Sequence, residues 1–466
     1  MRNVVAAGAV IAATLSGAAA DLCASGSELI GGNWYCQAVQ KITYQGVGGS
    51  GKYNKITKMD PVSGACSSAP FSYSGSLAPL NEELSLHFRG PLQLKQFAVY
   101  TPSSGSSTKP KMAKRSPHER RHAHGHQHFH QQHKETREIQ EAAEAEKRAV
   151  GDWVTATING EVVSWVNTFG AETPAAKAVV NDATTITKTV AQATATQTAT
   201  IASEKAGASA PASSAAPSPK ATTASVASGD WSQVAYYEAS SGTAHGVTFL
   251  NNMGGQGSGT FDYVFGNSLS YAAADAKSGA SSPQVLKDMT LPSNTEITIM
   301  SDKECSGDSC GYYRPDTVAY HGFGGPSKAF FFEFSMPDDG TSGWNMNMPA
   351  LWMLNAQIPR TLQYGKAECS CWTSGCAEFD IFEVLDSGNT RCKSTLHGNI
   401  KGGNSDYFKR PTSGTIKAAV VMHDDQIHIQ ILDNGINFGG SMPSSTISDI
   451  CANDSKVLTS IFALSS

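Results

Sequence analysis

The stretch Gly375-Cys-Ala-Glu-Phe-Asp-Ile-Phe-Glu-Val-Leu385 carries three carboxylates within six residues of an otherwise apolar segment. In an unbroken strand alternate side chains share a face, so Glu378 and Asp380 point one way and the apolar residues between them point the other. Glu383 has the wrong parity for the carboxylate face. A single β-bulge between Asp380 and Glu383 would return it to that face and leave Val384 packing inward. The stretch therefore predicts a bulged strand with one acidic face.

Three acidic residues on one strand face break a local rule, because Asp and Glu are poor strand formers and like charges repel across such short distances. Breaks of this kind are expected at functional sites. Crowding pushes the carboxyl pKa values apart, so one group can ionise as a nucleophile while another keeps its proton. A retaining glycosidase needs this division, with two carboxyl groups roughly 5–5.5 Å apart. The alternative is an exposed strand whose outer face is acidic.

The surrounding block, Gly229–Ser466, shows β-strand patterns throughout and almost no helical periodicity. Many short strands separated by Gly, Pro, Asn and Asp predict an all-β fold, a large β-sandwich or jelly roll. From Gly229 onward, 14 Lys and Arg residues oppose 24 Asp and Glu residues. This balance disfavours nucleic acid as a partner and is compatible with a neutral sugar polymer.

The motif Glu378-Phe-Asp-Ile-Phe-Glu383 resembles the E-x-D-x-x-E signature of glycoside hydrolase family 16, the laminarinase-like β-jelly rolls. Upstream, Gly343-Trp-Asn-Met-Asn-Met-Pro-Ala-Leu-Trp-Met-Leu354 is similar to the family's G-W-P-A-x-W-x-L segment. Downstream, Ser394-Thr-Leu-His397 resembles its T-L-H strand. The whole architecture is also similar to fungal wall proteins described as endo-β-1,3-glucanases. The resemblance covers about half the chain, roughly residues 229–466.

The resemblance implies Glu378 as the nucleophile, Glu383 as the general acid and then base, and Asp380 as their electrostatic partner. It further implies three residues near the substrate, each of which could instead be structural: Trp352, Trp344 and His397. Two departures from the family pattern leave the substrate subsites open. Met348 stands where family members usually have Trp, and the segment before Glu378 lacks the usual Trp-Pro-Gly.

The activity implied is retaining endo-cleavage of (1→3)-β-D-glucan in the organism's own wall, that of a glucan endo-1,3-β-D-glucosidase acting as a monomer. A transglycosylase would use the same residues, because a sugar hydroxyl can replace water. A non-catalytic, glucan-binding wall protein is the alternative from another class, against which the carboxylate trio argues. No cofactor is expected. The resemblance allows a structural calcium ion, but no ligands can be assigned to it.

The N-terminus indicates export. Met1–Ala20 reads as a secretory signal, with one charge and a small-residue end at Ala18-Ala-Ala20. No stretch is long and apolar enough for a membrane span. Asn453-Asp-Ser455 is an N-glycosylation sequon. We therefore expect a secreted, extracellular protein of the cell wall.

Composition divides the rest of the chain. Residues 21–101 predict a small β-rich domain, whose aromatic residues form either its core or a sugar-binding surface: Trp34, Tyr35, Tyr44, Tyr53 and Tyr73. Residues 102–228 predict a disordered linker, first His-rich and then Ala/Thr/Ser-rich. The His-rich tract could bind a metal but is better explained as a spacer. The dibasic pairs Lys114-Arg115 and Lys147-Arg148 suggest processing that would separate the domains.

Ten cysteines in an exported chain predict disulfides. Three lie before residue 102 and seven after residue 228. Because both counts are odd, either one bridge crosses between the two parts or each part keeps a free thiol. A zinc site built from four of them fits the spacing poorly: Cys369, Cys371, Cys376 and Cys392. One bridge in this group is a candidate to brace the motif strand.

Overall fold

The computed structural model describes residues 26–103, 153–158, 161–166, 230–254, 257–403, 405–453 and 456–464. The described N-terminal strands are β1 (Glu28–Ile30), β2 (Asn33–Tyr35), β3 (Lys41–Gln45), β4 (Gly48–Met59), β5 (Cys66–Ser76), β6 (Leu84–Arg89) and β7 (Leu92–Pro102). A separate hairpin consists of β8 (Trp153–Ile158) and β9 (Glu161–Val166).

The described C-terminal segment adds nineteen strands: β10 (Trp231–Glu238), β11 (Thr243–His245), β12 (Thr248–Asn251), β13 (Phe261–Asp262), β14 (Gly266–Asn267), β15 (Ser270–Ala272), β16 (Gly279–Ala280), β17 (Thr290–Leu291), β18 (Glu296–Met300), β19 (Lys328–Ser335), β20 (Ala350–Asn355), β21 (Glu378–Glu383), β22 (Arg391–His397), β23 (Gly402–Gly403), β24 (Phe408–Lys409), β25 (Ile416–His423), β26 (Gln426–Leu432), β27 (Ser441–Met442) and β28 (Thr459–Ala463). Its two short α-helices are α1 (Gln357–Thr361) and α2 (Ser444–Cys451). The all-β prediction is confirmed.

Two large sheets form the body of the protein. Sheet A has the order β11-β10-β7-β19-β25-β26-β3-β28, with β17 beside β7 and β27 beside β10. Sheet B has the order β16-β15-β12-β18-β6-β20-β21-β22-β23, with β24 beside β22. The main core between them combines alternate residues of both sheets, such as Phe330 and Phe332 of β19 with Leu351 and Met353 of β20. Each such side chain contributes about 1.5–3 kcal/mol on burial. The predicted sandwich is confirmed.

The N-terminal segment does not form the separate small domain that its composition suggested. Its strands occupy interior positions in both sheets: β3 lies between β26 and β28, β6 between β18 and β20, and β7 between β10 and β19. Described residues 26–103 and 230–464 accordingly belong to one compact unit. The prediction of a separate domain was wrong because the change in composition after residue 101 is visible in the sequence. The pairing of strands that are far apart in the sequence leaves no such local pattern.

The long low-complexity segment replaces a hairpin turn. Pro102 at the end of β7 is the register partner of Trp231 at the start of β10, in an antiparallel pair. An insertion between two adjacent strand ends costs little, because loop-closure entropy grows slowly with length. The predicted linker lies outside the described residues except for residues 102–103 and the β8–β9 hairpin, which pairs Trp153 with Val166. The predicted signal and the His-rich tract also lie outside them.

The disulfides settle part of the cysteine pairing. Cys66 at the start of β5 bonds to Cys369, so one bridge does cross between the two parts. Cys305 bonds to Cys310 and Cys371 bonds to Cys376. The zinc alternative is wrong, because three of its four cysteines are in these bridges, and Cys392 is a buried free thiol, as is Cys451. Cleavage at the dibasic pairs would leave the two parts covalently joined by Cys66–Cys369.

The N-terminal aromatic residues are mostly core. Tyr35, Tyr44, Tyr53 and Tyr73 are buried, whereas Trp34 is 49% exposed. The core interpretation is therefore confirmed for the four tyrosines. Among the described residues, no helix is long and apolar enough to cross a membrane.

We predict that a fragment of residues 229–466 does not fold on its own, because it lacks β3, β6 and β7 and would expose the edges and core residues that these strands cover. A matched control is the chain in which residues 104–229 are replaced by a short Gly/Ser turn, which keeps every strand of both sheets. Circular dichroism and size-exclusion chromatography should show a folded monomer for the control only. A cooperatively melting, monomeric 229–466 fragment would contradict the shared-sheet architecture.

Candidate active site

The motif strand β21 contains the predicted bulge. On one side Leu351 pairs with Phe382 and Trp352 with Asp380, which leaves Ile381 without a partner on β20. On the other side, β22 shows the same shift between Asp380 and Glu383. The bulge prediction is confirmed.

The bulge divides β21 between two environments. Phe379, Ile381, Phe382 and Val384 all lie in the main core, which confirms the inward packing expected for Val384. The three carboxylates occupy the opposite face of sheet B, which we call the carboxylate face: Glu378, Asp380 and Glu383.

A buried hydroxyl group supports the bulge. Ser394 of β22 lies opposite it and donates its Oγ hydrogen to the Asp380 carbonyl oxygen at 2.8 Å. The Tyr44 hydroxyl of β3 donates in turn to Ser394 Oγ at 3.0 Å. Because a bulge interrupts the ladder, a side-chain donor of this kind satisfies a carbonyl that would otherwise be unpaired in the interior. The N-terminal segment thus helps to fix the geometry of the motif strand.

His397 lies next to the carboxylates, on β22. It is the register partner of Glu378, and its Nε2 lies 2.8 Å from Asp380 Oδ2. Because Asp380 is only 5% exposed, its carboxyl group has little access to water, and the hydrogen bond with His397 holds the side chain in place. The structure therefore brings His397 and the three carboxylates together.

Trp372 holds Glu378. Its indole Nε1–H donates to Glu378 Oε2 at 2.5 Å. Trp372 begins a short 3-10 turn that is braced by Cys371–Cys376, and the neighbouring Cys369 is tied to the β4–β5 hairpin by Cys66. The bridge Cys371–Cys376 closes the turn that leads into β21 and ends two residues before Glu378, so it is the bridge best placed for the expected brace of the motif strand.

Arg89 approaches Glu383 from the N-terminal segment. Ala350 is the register partner of both Arg89 on β6 and Glu383 on β21. Because alanine has no side chain beyond Cβ, the arginine can reach across β20, and its guanidinium lies 3.6 Å from Glu383 Oε1. The same guanidinium lies 5.8 Å from the Trp352 ring and donates Nε–H to the Met348 carbonyl oxygen.

Burial raises the pKa of all three carboxyl groups. The pKa of Glu378 rises to about 8, chiefly through burial and then through Asp380, while His397 and the Trp372 N–H oppose the rise. Burial and Glu383 raise the pKa of Asp380 well above its usual range. Burial also raises the pKa of Glu383, against the opposing effects of Arg89 and His397. All three groups therefore hold a proton more readily than isolated carboxyl groups do.

The two tryptophans singled out in the sequence have different surroundings. Trp352 is on the carboxylate face but only 5% exposed, stacked on His87 at 5.1 Å and packed in a cluster with Tyr53 of β4. It forms the floor beside Asp380 rather than an open sugar-stacking surface. Trp344 is 79% exposed in the loop before β20. No contact joins it to the carboxylates in the described residues.

Three residues of this site were missed from the sequence: Arg89, His87 and Trp372. The first two alternate with leucine and phenylalanine in Leu84-Ser-Leu-His-Phe-Arg89, a pattern typical of a strand with one polar face. Burial lowers the pKa of His87 to about 3, so it is a neutral partner of Ser85 and Thr298. For Trp372, the flanking cysteines at 371 and 376 were the available signal.

Among the described residues, one group of three side chains is close enough to hold a metal ion: Cys305, Cys310 and His321. Two of its members are bonded to each other as a disulfide, so they offer no thiolate ligands. The carboxylate face needs no metal for carboxylate chemistry of the glycosidase type.

We predict that Trp372→Phe moves the acidic limb of the pH profile of kcat/KM upward by about one pH unit. The lost N–H donor favoured the ionised form of Glu378, and one hydrogen bond of about 1–1.5 kcal/mol corresponds to about one pKa unit. Trp344→Phe, a change in an exposed tryptophan with no contact to the carboxylates, is the control and should leave the limb in place. An unshifted limb in Trp372→Phe would show that the indole does not tune Glu378.

The chain matches two family descriptions: "Cell wall protein YJL171C/Tos1, C-terminal" over residues 229–450 and "Cell wall protein YJL171C/Tos1, N-terminal" over residues 40–102. A protein of Arthroderma benhamiae named "Probable circularly permuted 1,3-beta-glucanase" is 41% identical over 98% of both chains. A protein of Saccharomyces cerevisiae named "Probable circularly permuted 1,3-beta-glucanase TOS1" is 43% identical over 90% of this chain and 91% of its own. No solved structure matches.

Proposed function

Because the chain belongs to the YJL171C/Tos1 family of cell-wall proteins, we propose that it is a secreted wall enzyme that cleaves (1→3)-β-D-glucan internally with retention of configuration. The observation that carries the proposal is the bulge in β21, which places Glu378, Asp380 and Glu383 on one sheet face. Binding alone does not require three neighbouring carboxyl groups, one buried and two half-buried, which are costly to place together.

The proposed reaction has two steps. The Glu378 carboxylate attacks the anomeric carbon while Glu383 gives its proton to the glycosidic oxygen, which releases the leaving end of the glucan. Glu383, now ionised, then removes a proton from water, and the resulting hydroxide displaces Glu378 from the anomeric carbon. Two displacements at one carbon restore the β configuration.

The surroundings of the carboxyl groups fit these roles. Asp380 is the least exposed of the three carboxyl groups. Its negative charge is, after burial, the largest cause of the raised pKa of Glu378, and a proton retained on Asp380 removes that charge. Trp372 and His397 then favour ionised Glu378. For Glu383, burial outweighs the nearby Arg89, so its pKa is raised as a general acid requires.

We further propose that the sandwich is a circularly permuted member of the laminarinase-like jelly rolls. The names of the relatives include the words circularly permuted, and the topology of this chain supports the same description. The ends of β7 and β10 lie side by side, as the two termini of an unpermuted domain often do. At the other end, β28 pairs in parallel with β3, so strands from near both ends of the chain lie together in sheet A.

A neutral glucan fits the exposed aromatic residues around sheet B. Trp372 is 36% exposed and lies beside Glu378. Trp34 is also exposed, and its carbonyl oxygen accepts a hydrogen bond from the ammonium group of Lys393, the register partner of Glu383. Such indole faces suit the apolar faces of glucose rings. Transglycosylation remains the companion proposal, because a sugar hydroxyl can take the place of water in the second step.

The test is product analysis by mass spectrometry of the full chain with reduced linear β-1,3-gluco-oligosaccharides. Shorter products from the wild type, and none from Glu378→Gln, would support the hydrolase. Products longer than the substrate would shift the assignment to a transglycosylase. Binding without any change in chain length, in the wild type and the variant alike, would contradict enzymatic action on this substrate and favour a wall-binding protein.

A further inference from the structure

A chain of hydrogen bonds joins Ser309, His321 and Glu83, outside the carboxylate trio. The Ser309 Oγ lies 3.3 Å from His321 Nε2, and His321 Nδ1 lies 2.5 Å from Glu83 Oε1. Ser309 is exposed in the short loop closed by the Cys305–Cys310 disulfide. Glu83 immediately precedes β6. The order of groups is hydroxyl, imidazole, carboxylate.

The other partners of Glu83 determine the direction of these bonds. Arg360, which is 2% exposed, lies 3.0 Å from Glu83 Oε2, and the Gly322 N–H donates to the same oxygen at 3.3 Å. A carboxylate held by a buried arginine is ionised and can only accept hydrogen bonds. His321 therefore donates to Glu83 from Nδ1, and its Nε2 faces the Ser309 hydroxyl.

A cavity of about 300 Å³ adjoins this chain. Its lining includes His321 and Glu83, together with Ser301, Asp302 and Lys303, which precede the disulfide loop in the chain. The volume suits a small acyl group. Lys303 adds a positively charged residue to the lining of this cavity.

From this geometry we propose that Ser309, His321 and Glu83 form a second hydrolytic site that cleaves small acyl esters. Ser309 Oγ bonds to the ester carbonyl carbon as its proton passes to His321 Nε2, and that proton then leaves with the alcohol. Water attacks the acyl group on Ser309, gives its proton to His321 Nε2 and releases the carboxylic acid, while the proton returns to Ser309. Glu83 holds the imidazole in the required tautomer.

The test uses the full chain with p-nitrophenyl acetate, followed by labelling with a fluorophosphonate and peptide mapping. We expect release of p-nitrophenol and a label on Ser309. Ser309→Ala and His321→Gln should each lower the rate by about 10²-fold or more, because members of such a site act as a unit. Ser282→Ala, a change in an exposed serine elsewhere, is the control and should have no effect.

Glu378→Gln should keep full esterase activity, and Ser309→Ala should keep full glucan cleavage, so the two sites are tested separately. Equal melting temperatures of Ser309→Ala and the wild type would exclude loss of folding as the cause. Ester hydrolysis that is absent from the wild type or unchanged in Ser309→Ala, or a fluorophosphonate label on another residue, would overturn the proposal and leave these residues as a structural hydrogen-bond network.

Discussion

Replacement of Glu378 by glutamine is expected to lower cleavage of β-1,3-glucan by at least about 10⁴-fold, the order of loss seen when a nucleophile is removed from machinery that acts as a unit. Glutamine keeps the size of the side chain and can still accept the Trp372 N–H bond, but it cannot form the glycosyl ester. The rate of reducing-end formation from soluble glucan measures the effect.

The Glu378 variant should fold normally. Burial raises the pKa of the native carboxyl group, so its ionised form destabilises the fold at pH values above its unfolded pKa, and a neutral amide removes this cost. The melting temperature at neutral pH should therefore stay the same or rise. Glu333→Gln on sheet A is the matched control and should retain activity. A Glu378→Gln protein that keeps more than a tenth of the wild-type rate would contradict the assignment.

Replacement of Glu383 is expected to have an effect that depends on the leaving group. Without the general acid, the Glu383→Ala variant should cleave glucan about 10²–10⁴-fold more slowly than the wild type, because the sugar leaving group needs a proton. The rate on an aryl glycoside with an acidic phenol should fall much less, because that leaving group needs no proton. The ratio of the two losses is the measurement. Equal losses on both substrates would show that Glu383 does not protonate the leaving group.

Azide distinguishes the two glutamates by the configuration of the product. In Glu378→Ala, azide would displace a β-configured fluoride leaving group once and give the α-glycosyl azide. In Glu383→Ala, azide would instead resolve the covalent intermediate and give the β-glycosyl azide. The reverse pattern would exchange the two roles.

The motif strand could be predicted in detail because its evidence is local. The parity of Glu378, Asp380 and Glu383, together with the apolar residues between them, required a bulge, and the structure has it between Asp380 and Glu383. The inward packing of Val384 followed from the same count. Period-two alternation is a property of a few consecutive residues, which is why a single sequence suffices.

The N-terminal half could not be placed in the same way. Its strands were recognised, but the pairing of β6 with β20 joins residues more than 260 positions apart, and no local pattern encodes such a pair. The low-complexity segment between the halves suggested separate domains instead. For this reason Arg89, which contacts Glu383, was missed although it stands in a clear alternating pattern.

Burial also could not be read from residue type. Trp352 was expected to line the substrate site, and it does lie on the carboxylate face, but Tyr53 and other residues of the β4–β5 hairpin pack in the same cluster. That hairpin belongs to the N-terminal half, so its covering role depends on the same long-range pairing. Conversely, Trp372 is exposed but contacts Glu378, because the turn closed by Cys371–Cys376 brings its indole N–H to the carboxyl group.

The central claim, a covalent glycosyl-enzyme on Glu378, is tested most directly by trapping it. The full chain would be incubated with a 2-deoxy-2-fluoro β-1,3-glucobiosyl fluoride, digested and mapped by tandem mass spectrometry. The account predicts one glycosyl group per chain, attached to Glu378 and absent from Glu378→Gln. A label on Glu383, or turnover of natural glucan to products of inverted configuration with no label at all, would contradict it.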